Sequence, residues 1–320
     1  MIYKDTIIIG GGPAGSTCAW KLIESGNEVI ILDKKKFPRD KLCAGWITPQ
    51  DIKLLKLDNY PHSIVEFKKM YISFFGMKRK IDSLQYSIRR LEFDNWLLKR
   101  SKAKVYQHNV KKITKNRDYY IIDDKFKCKY LVGAGGTFCP VYKTIFEKKF
   151  PRSKKHLVTV MDQEFKYDYK NQDCYLWFFE NNLNGYFWYV PKENGYINIG
   201  LGGFLGDKKN ILSQWDYFIQ KLKKENLIIK KNFCPYGYQY LVRDKKLVPK
   251  LGNAFIIGDS AGLATLDLAE GIGPAAKSGY LVAEAISKNK ELSYESIDEY
   301  SFNNINSKLI GLMTEFKKIV

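Results

Sequence analysis

Residues 3–15 read Tyr-Lys-Asp-Thr-Ile-Ile-Ile-Gly-Gly-Gly-Pro-Ala-Gly. An apolar run that stops at glycines is the pattern of a buried parallel strand. The glycines fall in the spacing G-x-G-x-x-G at Gly10, Gly12 and Gly15. The first permits a tight turn, the second lets the backbone approach a pyrophosphate, and the third lets the helix pack closely on the strand. Residues 13–26 continue as a helix that stops at Gly26. Its start at Pro13 and Ala14 turns free N–H groups and a positive dipole end toward a phosphate. Residues 28–33 (Glu-Val-Ile-Ile-Leu-Asp) form a second buried strand ending in Asp33. A carboxylate there, with Lys34 following it, can accept hydrogen bonds from adenosine ribose hydroxyls. Strand, glycine turn, helix and strand make a βαβ unit with a dinucleotide site.

The rest of the chain is long enough for more than this unit. At 320 residues it sits at the upper edge of what one core supports, so two interleaved domains are expected. Hydrophobic content of 45% and charged content of 27% are those of an ordinary globular protein. No apolar run reaches the roughly 18 residues of a transmembrane helix. The N-terminus runs straight into a strand rather than a signal peptide, and a cytoplasmic location is expected. Six scattered cysteines without a C-x-x-C pair and three isolated histidines give neither a disulfide framework nor a metal site. The formal charge is +19, from 45 Lys and 8 Arg against 34 acidic residues. Two readings stand: a lysine-rich composition, and attraction to an anionic partner such as a membrane surface. The scarcity of Arg argues against nucleic acid.

Beyond a basic loop at 34–40, residues 64–88 alternate and are aromatic-rich, as antiparallel strands are. A helix is expected over 91–101 and short strands over 104–132, with a turn at Asn116–Asp118. Strand-like aromatic stretches at 173–180 and 186–201 follow, with a helix near 208–225. A buried strand at 254–258 precedes helices expected at 260–267, 271–288 and 293–318. The fold class is therefore α/β: a Rossmann-like FAD-binding domain (1–61, 90–149 and 248–320) with an inserted, mainly antiparallel β substrate domain (62–89 and 150–247).

A second segment makes the dinucleotide a flavin. Ile256-Ile257-Gly258-Asp259-Ser260 is a strand ending in Gly-Asp. Its carboxylate can meet ribityl hydroxyls, and the next N–H groups can meet pyrophosphate or isoalloxazine oxygens. An Asp helix cap would explain Asp259 alone, but not its pairing with the N-terminal loop. FAD is the expected cofactor.

Together, Gly10–Gly15, Asp33, Lys41-Leu42-Cys43-Ala44-Gly45, Arg90-x-x-Phe93-Asp94-x-x-Leu97, Gly133-Ala134-Gly135-Gly136, Tyr186–Pro191 and Gly258-Asp259 resemble the geranylgeranyl reductase family. That family lies within the p-hydroxybenzoate hydroxylase-like flavoproteins. The resemblance covers residues 1 to about 288. It implies FAD, a two-domain fold and reduction of isolated C=C bonds in prenyl chains. Arg90 corresponds to the family's FAD-contacting arginine, and physically it can pair with the pyrophosphate or ribityl region; a helix-end salt bridge is the alternative. Cys43 matches the cysteine of the family's K-x-C-G-G motif, with Ala44 for a glycine. It is read either as a proton donor beside the flavin or as a small buried hydrophobe. Tyr186, Trp188 and Val190 share one strand face and are expected at the substrate cavity, Trp188 above all. N–H groups around Gly271 and Ile272 are expected near the flavin's pyrimidine oxygens; Glu270 can equally be a charge complementing a helix dipole.

Two departures matter. The superfamily's G-A-D-G-x-x-S-x-V-R reads here Gly133–Tyr142, with Gly135, Cys139 and Tyr142 in place of Asp, Ser and Arg. This puts direct use of NADPH in doubt and leaves ferredoxin or NAD(P)H as electron donor, with the lysine-rich surface suited to an acidic ferredoxin. The chain also ends sooner after the second dinucleotide segment than the family does. An apolar small molecule or lipid is the expected substrate, with peripheral membrane contact as a partner expectation. An FAD monooxygenase or halogenase and a non-catalytic flavin carrier are the competing readings.

Overall fold

The computed structural model describes residues 1–168, 172–204, 209–229, 232–244 and 246–301. The chain begins with β1 (Ile2–Ile9), α1 (Pro13–Glu24) and β2 (Val29–Asp33). It crosses to β3 (Trp46–Ile47), α2 (Pro49–Leu55), β4 (Val65–Phe74) and β5 (Met77–Ser87), and returns through α3 (Arg90–Arg100) to β6 (Lys104–Gln107). A hairpin of β7 (Ile113–Asn116) and β8 (Tyr119–Ile122) leads to β9 (Phe126–Gly133). The chain then enters β10 (Leu157–Lys166), β11 (Cys174–Phe178), β12 (Gly185–Lys192), β13 (Tyr196–Gly203), α4 (Lys209–Lys224) and β14 (Tyr236–Leu241). It closes with β15 (Lys250–Leu251), β16 (Ala254–Ile256) and α5 (Ile272–Ser287).

The first sheet runs β15-β16-β9-β1-β2-β6, with the β7–β8 hairpin joined to β9. Its central strands are parallel. Strand β1 lies between β2, next in the chain, and β9, which arrives about a hundred residues later. Sheet order reverses at this point, and a crevice opens there beyond the strands' carboxyl ends. The glycine turn sits in it because Gly10 ends β1. Gly10 has φ +110°, and a Cβ on it would lie 2.2 Å from the Ala134 carbonyl oxygen. Helices α1 and α5 cross just as closely, since a Cβ on Gly279 would lie 2.3 Å from the Ala14 carbonyl oxygen. Gly279→Ala is therefore expected to force the two helices apart. The cost is about 1–3 kcal/mol of overpacking, read as a lower midpoint of thermal unfolding.

The second sheet runs β14-β10-β13-β12-β11-β4-β5-β3 and is antiparallel except where β4 meets β11. The side-chain period of two divides it cleanly. Tyr175, Trp177, Phe187, Tyr189, Ile199 and Leu201 pack under Trp215, Phe218 and Leu222 of α4. The opposite face carries Val160, Leu176, Trp188 and Val190 and looks toward the glycine turn. Strand β3 belongs to this sheet through Trp46↔Ser87, although it falls within the 1–61 segment.

Two helix expectations need correction. Residues 260–267 form a single 3-10 turn at Gly258–Ser260 and then irregular chain. Gly258 and Gly262 adopt positive φ, and Ala264 bridges to Val242, so the apolar spacing there packs a loop. Residues 293–301 are not helical either. Arg243 donates to the carbonyls of Tyr294 (2.9 Å) and Ile297 (2.5 Å), while the Tyr294 hydroxyl donates to the Ile256 carbonyl at 2.7 Å. The remainder of the helix expected over 293–318 lies outside the described residues. No helix among the described residues is long and apolar enough to cross a membrane.

Candidate active site

One cavity of about 660 Å³ joins the two sheets, within the range of small-molecule and cofactor sites. At one end it meets the glycine turn. Gly10, Gly12, Pro13 and Ala14 line it, and Gly15 lies behind them, where a Cβ would strike the Gly10 carbonyl oxygen at 1.9 Å. Gly12 is different. Its backbone is ordinary extended chain (φ −72°, ψ −175°), and a Cβ there would meet only Arg39 Nη2, at 3.5 Å. It faces the cavity, and no side chain caps the first turn of α1. That leaves a glycine-shaped seat at open helix N–H groups, a seat that suits a pyrophosphate.

Asp33 lines the same end, buried. Its Oδ2 accepts from Gly11 N–H at 2.7 Å and its Oδ1 from Lys35 N–H at 2.8 Å. Each oxygen keeps acceptor capacity for a further donor. Lys34, Lys35, Arg39, Lys41 and Lys143 also line the cavity and supply positive potential toward an anion.

The distant Gly-Asp segment does come here. A Cβ on Gly258 would meet the Cβ atoms of Ala14 and Ala275 at 3.1 and 3.2 Å, so the segment is seated directly on α1 and α5. Asp259 lines the cavity beside Gly271 and Ile272, as does Gly135. The N–H groups expected near Ile272 need correction. Ile272 N–H donates to Glu270 Oε1, as does Gly273 N–H at 3.0 Å. Glu270 thus caps the first turn of α5 through these hydrogen bonds, and Ile272 presents no N–H to a ligand. Burial and the nearby Asp51 carboxyl hold the Glu270 carboxyl well above the usual range.

Arg90 lines the cavity, almost wholly buried. It is gripped by Asp94 through Nε–Oδ1 at 2.6 Å and Nη2–Oδ2 at 2.8 Å, with Arg39 Nη2 3.4 Å from the same carboxylate. Burial alone would lower the Arg90 pKa, but Asp94 outweighs it and the guanidinium stays charged. Cys43 stands beside Arg90, and its Sγ accepts from Gly45 N–H at 3.2 Å. The Lys41 Nζ lies 3.5 Å from the centre of the Tyr238 ring. Ala44 lines the cavity as well, and its carbonyl accepts from Lys192 Nζ. Lys192 is fully buried, and burial lowers its pKa to about 8. Its Nζ also donates to the Ile88 carbonyl at 3.0 Å, tying the second sheet to the loop that carries Cys43.

The far wall is the apolar face of the second sheet. Tyr186, Trp188 and Val190 line the cavity with Val160, Leu176, Tyr238 and Tyr240, while Phe187 and Tyr189 turn to α4. Trp188 Nε1 donates to Asn198 Oδ1 at 2.7 Å, and the Tyr186 hydroxyl donates to the Leu268 carbonyl at 2.5 Å. Sequence reasoning missed Asp162, Arg39, Trp46 and the 108–111 loop, all at this cavity. It also missed Arg152. That guanidinium lies 3.4 Å over the Tyr142 ring and donates to the carbonyls of Thr137 and Ser260. An arginine ten residues downstream thus covers the segment whose own arginine is replaced.

A family model for an NAD(P)-binding Rossmann-like domain matches residues 8–63. An uncharacterised protein of Methanosarcina barkeri is 32% identical over 307 residues, covering 90% of this chain and 76% of its own length. A menaquinone reductase of Mycobacterium tuberculosis is 23% identical over 318 residues, covering 88% and 76%. Among solved structures, a geranylgeranyl bacteriochlorophyll reductase-like protein of Thermoplasma acidophilum superposes with TM-score 0.80 at 18% identity, covering 100% of this chain and 89% of its own. The flavin-dependent halogenase CmlS shares the fold at TM-score 0.72 and 17% identity, covering 100% and 62%.

Proposed function

We propose that this chain, which belongs to the family of the uncharacterised Methanosarcina barkeri protein, is a geranylgeranyl reductase-like FAD-dependent oxidoreductase that saturates isolated C=C bonds in the prenyl chain of an apolar lipid. The observation that supports this most strongly is the joining of two unlike ends in one cavity. The glycine turn suits a dinucleotide, and the aromatic and aliphatic wall of Val160, Leu176, Trp188 and Val190 suits a carbon chain. The names of the menaquinone reductase and of the geranylgeranyl bacteriochlorophyll reductase-like structure point to the same chemistry.

The fit to FAD rests on the Gly12 seat and the basic cavity mouth. In this reading Gly10, Gly12, Pro13, Ala14 and Gly15 form the diphosphate seat, with Lys34, Arg39 and Lys41 adding charge. Asp33 holds the adenosine ribose and Asp259 the ribityl chain. Gly135, Gly258 and Gly271 would let the backbone come close to the flavin, and Cys43, Ala44 and Arg90 would line the part of the cavity it occupies. When bound and reduced, the flavin supplies a hydride equivalent. The protein's own work is to bind, to orient and to keep water out. Trp188, locked by Asn198, and Tyr186, locked by Leu268, give the chain a rigid wall, because buried side chains with fixed partners lose no further entropy on binding. An acidic ferredoxin is the proposed electron donor, with NAD(P)H as the rival, and a membrane surface is the proposed source of substrate.

The test is anaerobic. Protein loaded with FAD and reduced by dithionite is mixed with geranylgeranyl diphosphate in detergent, and the products are weighed. Species enriched by two hydrogens per double bond are expected. Oxygen-dependent hydroxylation or halogenation, with no saturation under anaerobic conditions, would sink the proposal in favour of a monooxygenase or halogenase.

A further inference from the structure

We infer that Asp162 is the acid of this site, the group that gives a proton to the substrate carbon opposite the one that takes the hydride. The inference rests on the prenyl-reduction reading and names a residue that neither the motifs nor the family resemblance singled out. Asp162 stands on β10, in register with Gly200 on β13, which is in register with Trp188 on β12. Gly200 has no side chain, and the other two close over it. A Cβ there would lie 2.6 Å from Asp162 Cβ and 2.3 Å from the Trp188 ring. Asp162 and Trp188 therefore meet on the wall that faces the carbon chain, and both line the cavity.

Asn198, whose Oδ1 accepts from Trp188 Nε1 at 2.7 Å, stands beside the Asp162 carboxyl. The Asp162 Oδ2 atom is buried without a hydrogen-bond partner. A buried polar atom left without a partner is costly. Such an atom at a ligand cavity points to a partner that arrives with the ligand.

The charged groups around it are engaged elsewhere. Glu164, on the same strand, is paired with Arg89 at 2.8 Å. Lys192 from β12 reaches the Ala44 and Ile88 carbonyls. Lys41 sits over Tyr238 of β14, and the Tyr240 hydroxyl donates to the Ala269 carbonyl at 3.0 Å. Cys43 lines the same cavity and is the competing acid. Burial first, and Glu164 second, push the Asp162 carboxyl up to about 7 against the pull of Lys192 and Lys41. It therefore carries a proton part of the time near neutral pH, which suits a general acid.

The step balances. One alkene carbon takes the hydride equivalent of the reduced flavin. The π electron pair forms the second C–H bond with the proton on Oδ2. The π bond and the O–H bond break, the flavin is oxidised by two electrons and the alkene reduced by two. Asp162 is left as carboxylate and takes its next proton from solvent.

The experiment compares wild type, Asp162→Asn, Asp162→Glu and Cys43→Ala, each loaded with FAD, on geranylgeranyl diphosphate under anaerobic reduction. Loss of about 10²-fold in kcat with KM little changed is expected for Asp162→Asn, with the alkaline limb of the pH profile removed. Partial recovery and a displaced limb are expected for Asp162→Glu. Infrared spectra of the oxidised holoprotein at about pH 6 should show a protonated carboxylic acid band that Asp162→Asn lacks. An Asp162→Asn protein that keeps kcat and its pH limb, or a wild type without that band, overturns the assignment and leaves prenyl reduction standing. A wild type that saturates no alkene overturns the reading beneath it, and the assignment falls with it.

Discussion

Replacing Gly12 by Asp is expected to give a folded, colourless protein. Residue 12 is the N-cap of α1 with extended backbone, a position where Asp is among the preferred residues. A Cβ there meets only the end of Arg39. The fold should therefore tolerate the change, and its thermal midpoint should stay level or rise slightly. The carboxylate, however, lands in the diphosphate seat. It fills the space and sets a negative charge against two more. A loss of at least about 4 kcal/mol in FAD affinity is expected, roughly a thousandfold. Equilibrium dialysis against FAD, run beside circular dichroism, separates the two effects. A yellow Gly12→Asp protein would mean that the dinucleotide lies elsewhere. Gly15→Asp would be uninformative, because a Cβ at Gly15 strikes the Gly10 carbonyl and the fold itself should fail.

The second large effect is expected at Asp94. Its side chain is fully buried and is the bidentate partner of Arg90, itself nearly buried. Removing one member of a buried pair leaves an uncompensated charge and typically costs about 3–5 kcal/mol. Asp94→Leu should lose stability on that scale and should also release Arg90 and Arg39 from the cavity wall, weakening FAD binding. The double variant Arg90→Met, Asp94→Leu removes both charges. It should recover much of the stability, because apolar replacement of a whole buried pair is often neutral, but it should not recover cofactor affinity. Urea unfolding of wild type, Arg90→Met, Asp94→Leu and the double variant, with FAD titration of each, closes the cycle. A double variant as unstable as Asp94→Leu would contradict this account of the pair.

The parts of this structure that sequence revealed are local. The glycine spacing, the run into Asp33 and the stop at Gly26 each depend on a few neighbouring residues, and the βαβ unit followed from them. The faces of β12 were legible for the same reason, since alternation along one strand assigns Trp188 and Phe187 to opposite sides. Asp162 was not legible. Nothing in Val-Met-Asp-Gln-Glu marks it, and its place depends on register across β10, β13 and β12 and on the missing side chain of Gly200. Arg152 was hidden likewise, because its target carbonyls belong to Thr137 and to Ser260, the latter more than a hundred residues away. The 260–267 segment misled because Ala261, Leu263, Ala264 and Leu268 are all buried. Their spacing resembles a helix face, yet they pack a loop whose glycines take positive φ. At Ile272 the motif suggested a free N–H, and the preceding Glu270 had already claimed it.

The pH dependence of stability carries a separate mark of the sheet-to-loop tie. Lys192 titrates near 8 when folded and near 10.4 when unfolded. A depressed folded value means that its contribution is present above the unfolded pKa and is lost as pH falls through the folded one. Wild type should accordingly gain stability between about pH 8 and 10 relative to Lys192→Met, by urea midpoints measured across that window. Parallel curves for the two proteins would contradict the buried, ionisable placement of Lys192.

The central claim is that one cavity holds a reduced flavin against a prenyl chain. Its most direct measurement is the flavin's own absorbance in a sealed, oxygen-free cuvette. The holoprotein is reduced with one equivalent of dithionite, and geranylgeranyl diphosphate is then added. The oxidised flavin band should return in step with loss of the alkene, one flavin reoxidised for each double bond saturated. A band that stays bleached until air is admitted, with the prenyl chain recovered unchanged, would contradict it.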